Sequence, residues 1–82
     1  MTWNYRVIRH VEKSGEWLAI HEVYYDESGK PDGVTQDPSL PIGDNWEEFQ
    51  ADLNSYNMAM LQPVLEYEMF LEQERQAPVA PK

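Results

Sequence analysis

The chain contains no cysteine, and this absence removes two classes of structure at once. Disulfide bonds and thiolate metal sites are both excluded, because each needs cysteine sulfur. Long hydrophobic runs are also missing, since no apolar stretch approaches the roughly 20 residues that span a bilayer as a helix. The opening residues, MTWNYRVIRH, lack the apolar segment of a secretory signal peptide. From these absences we expect a cytoplasmic protein without a membrane anchor.

Basic residues are scarce and unevenly distributed. The 82 residues include 15 acids and 6 bases, so the formal net charge is −9. Four of the six bases lie in the first 30 residues, and none lies between Pro31 and Glu74. That stretch contains ten acids, which are Asp32, Asp37, Asp44, Glu47, Glu48, Asp52, Glu66, Glu68, Glu72 and Glu74. Direct binding to nucleic acid is not expected, because contacts with phosphates need a basic patch.

Patterns typical of catalysis are missing as well. None of the four serines lies in a nucleophile-elbow or SxxK pattern, and the glycines are too scattered for a phosphate-binding loop. The neighbouring Glu47 and Glu48 fall on the surface of a predicted helix, where solvated carboxylates are far commoner than a catalytic acid and base. We therefore predict no catalytic residue, no cofactor and no enzymatic activity.

The residues that are present indicate one small folded domain. Hydrophobic residues make up 41% of the chain, a fraction typical of a globular protein. At this length one domain is the expectation, and we predict a single α+β domain over residues 1–75. The remaining segment, residues 76–82 with the sequence QAPVAPK, has the composition of a disordered tail.

Two segments with alternating side chains predict an antiparallel β-hairpin. Residues 3–11 and 17–25 are rich in aromatic and β-branched side chains, and the intervening KSGE is typical of a turn. The predicted register places Val11 opposite Leu18. The hairpin is therefore expected to organise the rest of the domain.

Alternation along the two strands divides the side chains of the hairpin between two faces. Face one contains Trp3, Tyr5, Val7, Arg9, Val11, Leu18, Ile20, Glu22 and Tyr24. Face two contains Arg6, Ile8, His10, Glu12, Trp17, Ala19, His21, Val23 and Tyr25. Face one is the more apolar, so we predict that it faces the core. Its two charged members, Arg9 and Glu22, are then expected to form an ion pair at the edge of that core.

An amphipathic helix is predicted over residues 45–61 and is expected to cover face one. Asp44 and Glu47 have the spacing of a capping box at its start. The apolar stripe of this helix consists of Trp46, Phe49, Leu53, Tyr56 and Met60. A short third strand is predicted at residues 34–36. The predicted fold is therefore a small antiparallel sheet, formed by the hairpin with or without the third strand, and covered on one face by one helix.

Face two is apolar enough to need a cover that the sequence does not specify. Residues 64–75 have the spacing of both a strand and a helix, and they either fold back over face two or leave it bare. A bare face would present an apolar surface formed by Ile8, Trp17, Val23 and Tyr25. A homodimer, or another interaction domain that uses this surface, is the alternative function that would follow.

The two histidines are candidates for a metal site. The predicted hairpin places His10 and His21 as diagonal neighbours on face two, near Glu12. Two imidazoles and a carboxylate can ligate zinc. No further strong ligand follows at a fixed spacing, so we predict a structural pair of histidines and no bound metal.

Several segments resemble a family of short, mostly uncharacterised bacterial proteins. The segments that carry this resemblance are Tyr5-Arg6-Val7-Ile8-Arg9-His10, Ala19-Ile20-His21-Glu22-Val23-Tyr24-Tyr25-Asp26, Gly29-Lys30-Pro31, Asp37-Pro38, Pro41-x-Gly43, Glu47-Glu48, Asp52-Leu53 and Pro63-Val64-Leu65. Together they span most of residues 3–68. The resemblance implies no particular activity.

A more distant resemblance is to the HicB-like antitoxin domain. It is carried by Gly33-Val34-Thr35 and by Gly43-Asp44-Asn45-Trp46-Glu47-Glu48, which follow the hairpin in the same order as in that domain. The linker at residues 37–42 is longer than in the HicB-like pattern. The resemblance therefore implies a β-β-β-α layout rather than an antitoxin role.

The long acidic stretch suggests how the protein could bind a partner. Carboxylates on an exposed helix and its neighbouring loop can substitute for a row of phosphates, and the residues predicted to do so are Asp32, Asp37, Glu47, Glu48 and Asp52. In size and charge the chain is similar to antitoxins and phage-encoded anti-CRISPR proteins. The hypothesis is a non-enzymatic inhibitor that occupies a basic, nucleic-acid-binding site of a partner protein.

Overall fold

The computed structural model describes residues 2–76, with side chains for residues 2–72. The elements in chain order are β1 (Thr2–Glu12), β2 (Gly15–Tyr25), β3 (Pro31–Val34), α1 (Trp46–Ala59), β4 (Leu65–Glu66) and α2 (Tyr67–Gln76). The four strands form one sheet in the order β3-β2-β1-β4, with β4 parallel to β1 and the other pairs antiparallel. The predicted α+β class is confirmed. The predicted tail lies outside the described residues, apart from Gln76 at the end of α2.

The hairpin closes more tightly than predicted. Glu12 pairs with Gly15, so the turn contains only two residues, and Gly15 adopts a φ of 133° that other residues rarely tolerate. The register is shifted by two residues, and Arg9 instead of Val11 lies opposite Leu18. A shift of two residues returns every side chain to the same face, so the predicted membership of face one and face two is confirmed.

The predicted ion pair between Arg9 and Glu22 is wrong. The Arg9 guanidinium binds the carboxylates of Glu16 at 3.2 Å and Glu66 at 2.9 Å. Glu22 lies farther along the hairpin, directly opposite Tyr5, and its carboxylate accepts a hydrogen bond of 2.9 Å from the Tyr24 hydroxyl. The shifted register and the arrival of β4 beside β1 give Arg9 closer partners than Glu22.

The third strand begins earlier than predicted. β3 runs over Pro31–Val34, whereas the prediction was residues 34–36. The connection from β2 is a short turn closed by Asp26, whose carboxylate accepts hydrogen bonds from the backbone and hydroxyl of Ser28 and the backbone of Lys30. These hydrogen bonds, that from the Ser28 side chain first, lower the pKa of Asp26.

Helix α1 begins one residue later than predicted. Asn45, rather than Asp44, is the N-cap, and its side-chain oxygen accepts a hydrogen bond of 2.9 Å from the Glu48 backbone amide. The Glu48 carboxylate in turn accepts a hydrogen bond from the Asp44 amide at 3.2 Å. Asn45 and Glu48 therefore occupy the positions predicted for Asp44 and Glu47, although the Glu48 carboxylate binds the amide of the residue before the N-cap instead of that of the N-cap itself.

The predicted apolar stripe of α1 is only partly correct. Tyr56 is 7% exposed and packs against the sheet, but Trp46, Leu53 and Met60 are 69%, 42% and 68% exposed. The helix is turned so that Tyr56 and Ala59 face inward, and its sheet contacts are with β1. Face one is therefore covered over part of its area, and none of its own side chains is fully buried.

The main core lies on face two, and the prediction that face one is the core face is wrong. Ile8 and Val23 are completely buried, and they pack with Phe70 of α2, which is 5% exposed. β4 pairs with β1 at Ile8, and α2 begins immediately after it, so the chain is directed across face two. Residues 64–75 thus contribute a two-residue strand followed by a helix.

A buried pair of histidines joins the two central strands on face two. The Nε2 atoms of His10 and His21 are 2.9 Å apart, and His21 Nδ1 is 2.9 Å from the Thr35 carbonyl oxygen. A carbonyl only accepts, so His21 carries its proton on Nδ1, and His10 Nε2–H donates to His21 Nε2 when both rings are neutral. His10 is also stacked between Trp17 and Tyr67, with ring centroids at 3.8 and 4.5 Å. The pair therefore connects β1, β2 and α2.

The position of the core can be tested with two alanine variants. Ile8→Ala removes a fully buried side chain and should lower the free energy of unfolding by about 2–5 kcal/mol. Leu53→Ala removes a side chain that is 42% exposed, and its cost should be about 1 kcal/mol or less. Chemical denaturation measures both. A larger loss of unfolding free energy for Leu53→Ala than for Ile8→Ala would contradict the assignment of the main core to face two.

The histidine pair should make the stability depend on pH. Burial, followed by the neighbouring His21, lowers the pKa of His10, so the folded state favours the neutral ring. As the pH falls below the unfolded value of about 6.5, the unfolded chain takes up a proton that the fold resists, and stability decreases. The free energy of unfolding should therefore be lower at acidic than at neutral pH, and His10→Gln should reduce this difference. An equal difference in both proteins would contradict the assignment.

Candidate protein-binding surface

The exposed charge of residues 2–72 is mostly negative. Among residues 2–72, the exposed acids are Glu12, Glu16, Glu27, Asp32, Asp37, Asp44, Glu47, Glu48, Glu66, Glu68 and Glu72. Of the bases in this range, Arg6 is buried, where it donates hydrogen bonds to the Tyr25 hydroxyl at 2.8 Å and the Pro63 carbonyl at 2.7 Å. Arg9 is held by its two glutamates. Only Lys13 and Lys30, both in turns, remain as exposed bases of the described range.

The five acids predicted to bind a partner do not form one row. Asp32 borders a hollow beside Phe70 on the face-two side of the sheet, whereas Asp37 lies in the loop that borders Tyr56 on the face-one side. Glu47 is exposed at the start of α1. The remaining two predicted acids, Glu48 and Asp52, already have hydrogen-bond partners within the protein. The expected substitute for a phosphate row on α1 is therefore not formed.

Asp52 holds α1 and the preceding loop against the sheet. Its Oδ1 accepts a hydrogen bond of 3.0 Å from the Tyr5 hydroxyl, and its Oδ2 accepts one of 2.8 Å from the Ile42 amide. The ring of Tyr5 also packs on Tyr56, with centroids 4.4 Å apart. Burial and then the Asp52 carboxylate raise the pKa of Tyr5 well above its ordinary value. Asp52 is therefore a structural residue of the face-one layer.

The apolar surface predicted on face two, formed by Ile8, Trp17, Val23 and Tyr25, is largely buried or engaged in the structure. Ile8 and Val23 are fully buried under α2, and the Tyr25 hydroxyl is engaged by Arg6 and by Asn4, the latter at 2.7 Å. Trp17 is 40% exposed, with its ring stacked on an imidazole. Of the two alternatives for face two, the structure shows the one in which residues 64–75 fold back over it, because Phe70 of the C-terminal helix packs on Ile8 and Val23.

The sequence interpretation missed a cleft on face one. It has a volume of about 450 Å³ and lies between Tyr5 and Glu22 of the sheet, Tyr56 of α1 and the loop of residues 35–42. Glu22 was interpreted only as an ion-pair partner. A carboxylate in the middle of the more apolar face of a strand was the one signal that could have indicated a recessed polar site.

The part of the chain that the structure describes contains neither a cluster of metal ligands nor a membrane-spanning helix. No group of three or more His, Asp or Glu side chains there is placed to hold a metal ion. No helix in the same range is long and apolar enough to cross a membrane. The two histidines instead bind each other and the backbone of Thr35.

Comparison of the chain with protein-family models, with curated proteins and with solved structures finds no match. The resemblances to the short bacterial family and to the HicB-like domain therefore stay predictions. What the protein does has to be inferred from the charge and geometry of its own residues.

The structural role of Asp52 can be tested against another acid of equal charge. Asp52→Asn replaces an acceptor oxygen by an NH₂ group, which cannot accept both hydrogen bonds, and should lower the free energy of unfolding by about 1–3 kcal/mol. Asp37→Asn removes the same charge from an exposed side chain, and its effect should be within about 0.5 kcal/mol. Absorbance titration should also show a lower pKa for Tyr5 in the first variant alone. Equal stability of the two variants would refute this role.

Proposed function

We propose that this protein is a non-enzymatic inhibitor that binds a partner protein and occupies its basic, nucleic-acid-binding site. The observation that supports this function is the charge of the surface. Eleven carboxylates are exposed among residues 2–72, two of which pair with Arg9, and of the other three bases in that range Arg6 is buried. Such a surface attracts a basic surface on another protein and repels nucleic acid.

A basic site that binds nucleic acid has the chemistry that an acidic protein surface can bind. Such a site must present several lysine or arginine side chains to phosphates, and carboxylates can satisfy the same side chains. Charge complementarity of this kind speeds association and excludes partners of the wrong charge. Inhibition then follows from competition, because one basic site cannot hold the acidic protein and a nucleic acid together.

The negative charge is spread over several elements instead of being concentrated on α1. Exposed acids occur on β3, in the loop that follows it, at the start of α1 and on α2, of which Asp32, Asp37, Glu47 and Glu68 are examples. The binding surface that we propose is therefore broad. Asp52 is not part of it, because its oxygens are engaged within the fold.

The first test is the dependence of binding on salt and on nucleic acid. A partner isolated with the tagged protein should release it as NaCl increases, because screening shortens to about 8 Å near physiological ionic strength. The partner's own nucleic acid should displace the protein in a competition assay. A complex that is indifferent to salt, or a partner that binds no nucleic acid, would refute the proposed function.

The second test compares two double variants with the same change of charge. Asp37→Lys with Glu47→Lys alters the acidic part of the chain, and Glu12→Lys with Glu27→Lys alters the hairpin and the turn after β2. All four side chains are exposed, so folding should be retained in both variants. The affinity should fall by about tenfold or more in the first variant and less in the second, since close opposite charges contribute most to binding. Unchanged binding in the first variant would contradict the proposal.

A further inference from the structure

The cleft on face one has walls that are held in place by the fold. Its loop, residues 35–42, is tied to β2 by hydrogen bonds from the Thr35 amide to the Glu22 carbonyl at 3.0 Å and from the Ser39 amide to the Ile20 carbonyl at 2.8 Å. The far end of the loop is fixed to α1 through Asp52. A cleft bounded in this way is largely preformed, which lowers the entropic cost of binding.

The cleft contains a buried hydroxyl group without a partner. Tyr56 lines the cleft and is 7% exposed, and its hydroxyl oxygen has no hydrogen-bond partner among the described residues. The hydroxyls of Ser39 and Tyr5 lie near that of Tyr56 and each acts to lower its pKa, as a neighbouring hydrogen-bonding group does. Neither hydroxyl meets the distance and angle of a hydrogen bond to Tyr56. Buried polar groups are rarely left unsatisfied, so this hydroxyl indicates a missing partner.

The surroundings of the cleft are negative. Glu22 lies in its wall and uses one carboxylate oxygen to accept from Tyr24, and Asp37 lies in its loop. The hydrogen bond to Glu22 raises the pKa of Tyr24, while burial and then the charge of Asp52 raise the pKa of Tyr56. No lysine or arginine of the described residues lines the cleft. It is therefore a site for a cation rather than an anion.

Aromatic rings add a second contact for a cation. The rings of Tyr5 and Tyr56 both line the cleft and lie 4.4 Å apart, tilted by 42°. A guanidinium group can stack on a tyrosine ring while its N–H groups bind a carboxylate at its edge. An ammonium group lacks the planar surface needed for such stacking.

We propose that this cleft binds an arginine side chain of the partner, with the guanidinium between the tyrosine rings and the Glu22 carboxylate. This inference rests on the proposed function, because it assumes a basic partner. The broad acidic surface then guides the partner into position, and the cleft supplies the specific contact. The Tyr56 hydroxyl is closed to solvent in the free protein, and a small shift of the loop of residues 35–42 on binding gives it a guanidinium N–H or an ordered water as the partner that it lacks.

The test uses N-acetylarginine amide as a probe, followed by NMR of the backbone amides. Titration should shift the amides of residues 35–42 and those next to Tyr5 and Tyr56. Glu22→Gln keeps an oxygen that can accept from the Tyr24 hydroxyl. This variant should lower the affinity for the probe by about tenfold, because a charged hydrogen bond is lost. Glu27→Gln removes an exposed carboxylate outside the cleft and should leave the affinity unchanged.

A second variant distinguishes the contribution of the Tyr56 hydroxyl to binding from that of its ring. Tyr56→Phe keeps the packing against Tyr5 and removes only the unsatisfied group. The variant should have a lower affinity for the probe. Its free energy of unfolding should be unchanged or higher, since no hydrogen bond within the protein is lost. N-acetylnorleucine amide, which has an apolar side chain of similar reach, should not bind.

Several outcomes would overturn the assignment of the cleft. These are shifts spread equally over exposed acids such as Glu68, an unchanged affinity in Glu22→Gln, or equal binding of the norleucine compound. If the partner complex depends on salt but is unaffected by Glu22→Gln, the cleft assignment fails and the proposed function stands. If the probe binds as expected but the captured partner binds no nucleic acid, the proposed function fails and the cleft remains a guanidinium site.

Discussion

The register of the β1–β2 hairpin is the constraint on which the rest of the structure depends. A two-residue turn at Gly15 aligns the strands so that His10 can reach His21 on one face, while Tyr5 lies opposite Glu22. The first contact helps to organise the core under α2, and the second places a tyrosine and a carboxylate beside the same cleft. A one-residue shift of the register would place the two members of each pair on opposite faces of the sheet, so the core and the cleft depend on the same set of backbone hydrogen bonds.

The sheet divides the domain into two layers held by different forces. On face two, complete burial of Ile8 and Val23 under α2 provides hydrophobic stabilisation, and the two buried histidines satisfy each other's facing ring nitrogens. On face one, α1 is held mainly by the polar contacts of Asp52 and by the packing of Tyr56. The layer with the weaker hydrophobic contribution contains the cleft, because α1 covers only part of face one.

Structure and charge are linked through the arginines. Arg6 and Arg9 are both used within the fold, the first beneath face two and the second between β2 and β4. Arg6 is buried and adds no positive charge to the exposed surface, whereas Arg9 is partly exposed and offsets part of the charge of the two glutamates that bind it. This is why the proposed attraction to a basic site depends on the folded structure as well as on the number of acids.

Several properties were determined by the sequence alone, because they depend on local patterns. Alternation of side chains indicated the hairpin and the members of each face, helical spacing and a capping pattern indicated α1, and the scarcity of bases indicated an acidic surface. Tertiary structure decided which face became the core, because both faces are apolar and the ten-residue α2 could cover either. It also decided that Asp52 is engaged while Glu47 is exposed, because the rotation of α1 is set by contacts with Tyr5. These outcomes depend on residues far apart in the chain, whose distances no local pattern specifies.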